Sequence, residues 1–493
     1  MNTTTDPQDR PRLLWIHQNF VSARQPGNSR PIHIIAALLE QGWAVDVITT
    51  QTGYLHNEPA QQKTCVIHSE SGLTIHRLPQ GGGLDRRSLS YLTFFLKALR
   101  YSMRLGRVDL VYASSPPLPQ ILLSMIISVW KRAPMVFEVR DLWPAGLVAL
   151  GMLKSRPMIA GLQWLEAFAY RFADYCVAVT PMFAPYLEHL GVPADEVSFV
   201  PTGGDPRFLE IDPAESAAWR QAQGLQDKFV ILYAGSFNEQ YGIELALSAA
   251  RQLSSRAPEI CWVFAGDGRQ RPQIEDAAKE LECVQYLGSL SKDELMPTIA
   301  GADLGLDALG TSPMLYLAMP GKLFDYMAAG IPVISTNDGL PGAMVDAAGA
   351  GFALKEPAVE QLVDAVVEMA DLPPETRQAM GRSGQDWILQ KMNSLDLADE
   401  IAKVAARVWE KNKNRRRLWR FLRAAVLAWG AVFRQRSPKI LRQMAQRDPG
   451  EAARESLQDW LGQQEGVRKR HAMSVPAMAA LLSGRADGVE NEE

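Results

Sequence analysis

Pro320-Gly321-Lys322-Leu323-Phe324-Asp325-Tyr326-Met327-Ala328-Ala329-Gly330-Ile331-Pro332-Val333-Ile334 is the stretch whose reading decides the fold. A Pro-Gly-Lys turn opens a short helix. Gly330 stops it, because glycine accepts the left-handed backbone that ends a helix. The chain then runs straight into an apolar strand. A helix that delivers the chain into a short, wholly apolar strand is the repeating unit of a parallel sheet covered on both faces.

The same unit recurs in both directions from this stretch. Upstream, Phe229–Ala234, Cys261–Ala265, Val284–Tyr286 and Leu304–Leu306 are apolar runs. Helical patterns separate them at Ile243–Leu253, Pro272–Leu281, Lys292–Ala300 and Lys322–Ala329. A second series precedes it: strands at Leu13–Ile16, Ala44–Thr49, Leu110–Ala113, Met135–Val139, Tyr175–Val179 and Val197–Val200. Between the two lies Pro201–Ala214, rich in Gly, Pro and Asp, which reads as a linker. The expectation is an α/β protein with two Rossmann-like domains facing across a cleft and a C-terminal helical basic tail. The first domain runs over residues 1–202 and the second over 203–371. Helices over 372–410 pack back on the first domain, and 411–493 forms a basic amphipathic helix and a partly disordered tail.

The composition fits: 493 residues, 47% hydrophobic, 22% charged, with a net charge of −4. No basic excess argues for nucleic acid as a partner. Cys65, Cys176, Cys261 and Cys283 are far apart in sequence and form no metal-ligand spacing. They read as free thiols of a reducing compartment. The start, Met1–Pro11, is polar and lacks the apolar core of a secretory signal. No run approaches the ~20 apolar residues that cross a bilayer.

Free N–H groups at the start of the helix after Pro320 form an anion site, and Lys322 adds a charge there. Asp325 lies one turn further on and can accept hydrogen bonds from sugar hydroxyls. Arg140-Asp141 follows a strand, where a carboxylate can bind a sugar or act as a base. Gly27 reads as a close approach of backbone to a ligand. Each feature also has a plain structural explanation: a solvated helix start, a buried ion pair, an ordinary turn. No Asp-x-Asp, no Gly-x-x-x-x-Gly-Lys-Ser/Thr and no Gly-x-Gly-x-x-Gly after a strand occurs. These absences weigh against metal-clamped transferases, kinases and dehydrogenases.

Taken together, the Pro320–Ile334 segment, the loop Gln25-Pro26-Gly27-Asn28-Ser29-Arg30, Phe137-Glu138-Val139-Arg140-Asp141-Leu142-Trp143-Pro144, Pro201-Thr202-Gly203-Gly204-Asp205, Phe264-Ala265-Gly266-Asp267-Gly268 and Tyr286-Leu287-Gly288 resemble the family 4 retaining glycosyltransferases. That family has the GT-B fold, and the likeness is to its members that build polysaccharides and lipid-linked glycans. The resemblance covers roughly Arg12 to Trp409. It implies catalytic roles for Asp141, Arg140 and Lys322. It implies donor binding by Gly235, Ser236, Gly266, Gly268, Gly321, Leu323 and Asp325, with Asp325 on the nucleotide ribose. Gly27 and Asn28 would form an acceptor or diphosphate loop. The sequence departs from the family at Leu317, where a glutamate contacts the donor hexose. It departs again at Ser236 and Tyr241, where an Arg and a Lys hold the diphosphate. Neutralisation then falls to Lys322, Arg140 or a helix N-terminus.

What the resemblance implies is transfer of a sugar from a nucleotide sugar, with UDP expected, to a lipid-linked or polysaccharide acceptor. Neither a metal nor another cofactor is expected. A nucleotide-sugar 2-epimerase or a non-catalytic nucleotide-sugar-binding protein of the same architecture is the alternative. Lys411–Arg442 carries eleven Lys or Arg and no acid around an apolar, Trp-containing centre. Such a helix is expected to lie on an anionic membrane surface, which would place the protein on the inner face of the cytoplasmic membrane. Ser88–Arg107 could be a second contact. The competing reading is a basic helix packed on the protein's own acidic surface, or a helix that binds a partner.

Overall fold

The structure is a computed structural model. It describes residues 10–18, 20, 27, 29–50, 65–79, 87–115, 118–149, 152–310, 313–413, 417–434, 449–464 and 489–491. The chain divides into two compact units: residues 1–200 with 398–437 and 471–493, and residues 201–397 with 438–470.

The first unit runs β1 (Arg12–Ile16), α1 (Arg30–Glu40), β2 (Ala44–Thr50), β3 (Val66–Glu70), β4 (Leu73–Leu78) and α2 (Arg87–Arg104). It continues with β5 (Leu110–Ser115), α3 (Leu118–Lys131), β6 (Met135–Val139), α4 (Ala145–Ala149), α5 (Arg156–Phe172), β7 (Tyr175–Ala178), α6 (Ala184–His189) and β8 (Val197–Phe199). With a late strand at Val489–Asn491, these form a nine-stranded sheet in which β2-β1-β5-β6-β7-β8 are neighbours in that order. The β2-to-β8 stretch is parallel, and β3 pairs antiparallel with β4. From β1 the chain first moves one way through α1 to β2. After β4 it moves the other way through α2, α3 and α5. Right-handed crossovers therefore put α1 on one face and α2, α3 and α5 on the other. Leu14 and Ile16 of β1 pack with Phe94 and Ala98 of α2 and Leu123 and Ile127 of α3. The order reverses between β1 and β5, and ligands of open α/β sheets bind at the carboxyl ends beside such a reversal.

The second unit begins with α7 (Pro213–Ala222), β9 (Phe229–Ala234), α8 (Ile243–Leu253), β10 (Ile260–Ala265), α9 (Arg271–Glu280), β11 (Val284–Gly288) and α10 (Lys292–Ala300). Then come β12 (Leu304–Asp307), α11 (Pro313–Tyr316), α12 (Gly321–Ala328), β13 (Val333–Ser335), α13 (Leu340–Ala348), β14 (Gly351–Ala353), α14 (Val359–Asp371) and α15 (Pro374–Lys391). Its six strands are ordered β11-β10-β9-β12-β13-β14, all parallel. The reversal lies between β9 and β12. Strands β9, β10, β12 and β13 are buried at every position, as continuous apolar runs demand.

The last helices divide between the units. Helix α15 packs on α12 and α13 of the second unit, so of residues 372–410 only the part from Ala398 joins the first. There α16 (Ser394–Asn412) sets Trp409 edge-on to Trp43, with ring centroids 5.6 Å apart. Helix α17 (Arg417–Arg434) packs on α5. Phe421 meets Phe168 and Phe172 edge-on at 4.9 and 5.8 Å. Arg420 donates to the carbonyls of Phe172 and Ala173 and pairs with Asp174 at 3.5 Å and Glu196 at 3.3 Å. One arginine of the basic helix is thus held by the protein's own acids. Within the segment expected to be a partly disordered tail, Pro449–Gln464 forms helix α18. It docks on α13 of the second unit, with Leu457 and Trp460 buried. Residues 414–416 and 435–442 of the basic stretch lie outside the described residues.

Four described strands escape the sequence reading: β3, β4, β14 and the late strand Val489–Asn491. β3 and β4 carry His68, Ser69, Glu70, Thr74 and His76, so they show no apolar run. They form because they extend an edge, where one face stays polar.

Candidate active site

In the second unit, Lys322 stands at the sheet's reversal. Its Nζ lies 3.3 Å from Asp307 Oδ1, at the end of β12. It sits over the ring of Tyr233, at the end of β9, at 4.7 Å and over Tyr241 at 4.6 Å. Asp307 is fully buried and its other oxygen accepts from Ser335 Oγ at 3.2 Å. Burial pushes the Asp307 carboxyl up and the Lys322 ammonium down, each against the attraction of the other. Tyr241, where the resemblance leads one to expect a lysine, thus covers a lysine that comes from another element.

The glycine loops arrive beside this lysine. Gly235 follows β9 with φ 154°, and a Cβ there would meet Lys322 Cδ at 3.9 Å. Gly266 follows β10 with φ 143°, and a Cβ would fall 1.8 Å from the Gly235 carbonyl oxygen. Only glycine fits, because the two loops press together. Gly268 abuts Phe237 backbone in the same way, and the Ser236 carbonyl accepts from the Tyr233 hydroxyl at 2.9 Å. Gly321 is exposed at the start of α12. Leu323 is fully buried, and its N–H donates to the Pro320 carbonyl at 3.1 Å. The structure therefore brings Gly235, Ser236, Gly266, Gly268, Gly321 and Lys322 to one edge.

Asp325 sits one turn along α12 and is already paired. Lys292 Nζ, at the start of α10, donates to its Oδ1 at 2.8 Å, with the two side chains 7% and 22% exposed. Lys292 lies over the Phe208 ring at 5.3 Å. Burial pushes the Asp325 carboxyl up, against the pull of Lys292. Nearby, Arg207 grips Asp205 through Nε and Nη2. Leu317 is buried. Sequence reasoning missed Lys292 and Asp307, since their pairing depends on separate elements converging.

In the first unit, Arg140 and Asp141 follow β6, as expected, with Asp141 exposed. Glu138, in β6 and two residues before Arg140, is buried. Arg30 Nε donates to it at 2.8 Å, Ser114 Oγ at 2.8 Å and Tyr112 at 3.3 Å. Burial works to raise the Glu138 carboxyl. The charges of Arg30 and Arg140 and the hydrogen bonds overcome it and hold it below the ordinary range. His17, at the end of β1, is pushed down to about 4 by burial and by Arg140, so its imidazole is neutral. Gly27 is exposed with φ 156°. Asn28 lies outside the described residues.

Comparison with known proteins follows the same division. Residues 30–203 match the glycosyl transferase 4-like domain and residues 215–387 match the glycosyl transferases group 1 domain. The chain is 26% identical over 297 residues to the probable glycosyltransferase WbjE of Pseudomonas aeruginosa, covering 58% of this chain and 73% of that one. It is 23% identical over 246 residues to the alpha-D-kanosaminyltransferase of Streptomyces kanamyceticus, covering 49% and 62%. It is thus similar to less than two thirds of the length of that relative. Among solved structures, Anabaena HepE in complex with UDP-glucose superposes with a TM-score of 0.60 at 15% identity, over 80% of this chain and 99% of that one. Sucrose-phosphate synthase from Thermosynechococcus elongatus gives 0.62 at 18%, over 82% and 100%. At such identities the likeness is one of fold. With both family domains matched in order along two doubly wound units, this chain belongs to the family 4 glycosyltransferases, of the GT-B fold.

Proposed function

We propose that this protein moves a sugar from a nucleoside-diphosphate sugar, with UDP as the nucleotide, to a lipid-linked glycan acceptor, with retention at the anomeric carbon. The carrying observation is the convergence of the Gly235 and Gly266 loops on Lys322 at the reversal of the second sheet. Glycine there leaves room for a ligand's phosphates, and the start of α12 turns N–H dipoles toward the same edge. UDP and UDP-glucose are bound by HepE, which supports that class of donor here.

Charge develops on the departing diphosphate. Lys322 and the N–H groups at the start of α12 stabilise it, and their fixed placement avoids reorganisation during the reaction. Asp307 and the two tyrosine rings hold Lys322 in position. Asp325 is the acceptor for ribose hydroxyls, with Lys292 keeping its carboxylate oriented. Asp141, exposed beside Arg140, is the group that meets sugar hydroxyls on the side of the first unit. The reaction proceeds without a divalent ion.

The lipid acceptor goes with a peripheral position on the inner face of the cytoplasmic membrane. Helix α17 supports it: Leu422 is 50% and Val426 71% exposed, with Arg423 exposed between them. Among the described residues no helix is long and apolar enough to cross a membrane. The test is thermal shift with UDP-, GDP- and dTDP-sugars. A ligand at 100 times its dissociation constant adds ~2.7 kcal/mol of stability. A shift with UDP-sugars alone is expected, and a response confined to GDP- or dTDP-sugars would overturn the nucleotide assignment.

A further inference from the structure

The second matched family domain ends at residue 387, and α18 follows it from Pro449. This late helix packs on α13 and on α11, the short turn Pro313–Tyr316. Leu457 and Trp460 are 1% and 6% exposed there, and Arg454 Nη1 lies 3.5 Å from Asp346 Oδ2. The contact completes a core. Leu340–Val345 of α13 are six consecutive buried residues. At about 100° per residue they point in every direction round the helix, so one sheet face cannot cover them. Strands β13 and β14 and helix α15 cover part of that circumference, and α18 covers the rest.

The end of α11 and the start of α13 are pressed together beside the site. A Cβ on Gly339, which caps the start of α13, would fall 2.5 Å from the Tyr316 carbonyl oxygen and 2.6 Å from Tyr316 Cα. From Tyr316 the chain runs through Leu317 to Gly321, the first residue of α12. The N–H groups of Leu317 and Ala318 donate to the carbonyls of Met314 and Leu315, both at 3.3 Å, so this connection prolongs the α11 turn. Behind Gly339, Asn337 Oδ1 accepts from its N–H at 3.0 Å. Ser335 Oγ lies 3.3 Å from the Asn337 carbonyl oxygen and 3.2 Å from Asp307, the partner of Lys322.

The donor reading gives this edge a direction. With the ribose on Asp325, one turn into α12, and the diphosphate at the start of that helix, the sugar lies beyond the helix start. That is where α11 and Leu317 deliver the chain. We propose that α18 is a positioning element for the sugar end of the donor, with Trp460 as the residue that holds α11 and the start of α13 in place. The inference rests on the donor site proposed above and deepens it. Leu317 is apolar and buried, so it brings no polar side chain to a sugar. Recognition by this loop then falls to its backbone, and backbone placement is what α18 governs. Trp460 itself touches no substrate. It acts through α11, because a close-packed interior passes the loss of a large side chain on to its neighbours as a shift. A misplacement of about 1 Å far from the chemistry can cost ~100-fold in rate.

The experiment is calorimetric titration of the full-length protein with UDP, UDP-glucose and UDP-N-acetylglucosamine, well below the melting temperature of every variant. Trp460→Ala removes the anchor, and Trp460→Phe keeps most of it. Leu362→Ala, in the core between α14 and α8, destabilises the same unit away from α11. In Trp460→Ala, affinity for the UDP-sugar that the unaltered protein binds better should fall by roughly tenfold relative to UDP, the worth of one good hydrogen bond. UDP affinity itself should stay, because Lys322, Asp325 and the glycine loops are untouched. Trp460→Phe and Leu362→Ala should keep the ratio of the two affinities, although Leu362→Ala lowers the melting temperature. Should Trp460→Ala fail to fold, Trp460→Leu is read in the same way. An unchanged ratio in the Trp460 variant, or an equal change of ratio in Leu362→Ala, would reduce α18 to a stabilising helix and overturn the inference while the donor site stands. Binding of none of the three nucleotides by the unaltered protein overturns the donor site, and the inference with it.

Discussion

Two lysine–carboxylate pairs govern the second unit, and each can be tested at a single side chain. Asp325 is expected to serve both stability and donor binding, because its partner Lys292 is 7% exposed. Removing one member of a buried pair leaves the other charge unpaired and costs about 3–5 kcal/mol. Partial exposure of Asp325 places its pair toward the lower end. Asp325→Ala should therefore lower the melting temperature and weaken UDP binding ten- to hundredfold, given ~1.5–3 kcal/mol for a charged hydrogen bond. Combining it with Lys292→Met should restore much of the stability and none of the affinity. Calorimetry on the double-mutant cycle reads both, and recovery of UDP affinity in the double variant would remove Asp325 from the nucleotide site. Glu166 offers a pH readout. Burial raises its carboxyl from 4.5 to about 8, against the hydrogen bonds of Tyr186 and Tyr170. The folded state thus holds a proton that the unfolded chain releases. The contribution of Glu166 to stability is full below pH 4.5 and is lost as pH rises through about 8, at up to ~1.4 kcal/mol per pH unit. Urea titrations should show that decline flattened in Glu166→Gln; an identical pH profile in the variant would contradict it.

At the scale of elements, the site depends on how loops and helices abut. Gly266→Ala places a methyl 1.8 Å from the Gly235 carbonyl oxygen, at a φ of 143°. The β9 and β10 loops must then separate. UDP affinity should drop by tenfold or more, since a shift of the phosphate-facing backbone spoils its hydrogen bonds (~1.4 kcal/mol per tenfold); unchanged affinity would show that the pressed loops do not form the site. Helix α18 is a second case. It comes from a segment that reads as a mixed-charge tail, yet it buries Trp460 and Leu457 against the second unit. Trp460→Ala should destabilise by ~3–5 kcal/mol, as for other buried tryptophans. A melting temperature unaffected by the change would mean that the helix does not dock in solution.

For the molecule as a whole, the proposal of metal-free catalysis has a direct check. Lys322 and the helix start supply positive potential where a metal would otherwise neutralise the diphosphate. Turnover should persist in excess EDTA; complete loss, restored by magnesium or manganese, would refute it. The charge of the molecule is also unevenly spread. A chain with a net charge of −4 gathers eleven cations and one buried acid into four helices of one layer, α2, α3, α5 and α17. This asymmetry matters for association with an anionic surface, where each exposed cation adds ~1 kcal/mol.

The alternation of apolar runs and glycine-stopped helices is a local property, and it determined the two doubly wound sheets by itself. Strands such as Phe229–Ala234 and Cys261–Ala265 are buried on both faces, so composition alone betrays them. β3 and β4 were illegible because an edge hairpin needs no apolar run. The positions of Gly235, Gly266, Lys322 and Asp325 at strand and helix ends were legible for the same local reason. What holds them was not. Lys322 meets Asp307 fifteen residues away, Asp325 meets Lys292 thirty-three residues away, and Arg30 reaches Glu138 across 108. A side chain's partner is set by which elements the topology makes neighbours, and buried charge is tolerated only where that neighbour neutralises it. The same holds for the cationic helical layer of the first unit. The sequence shows basic and apolar residues on each helix, but only the packing of α17 on α5 and α3 decides which of them remain outside.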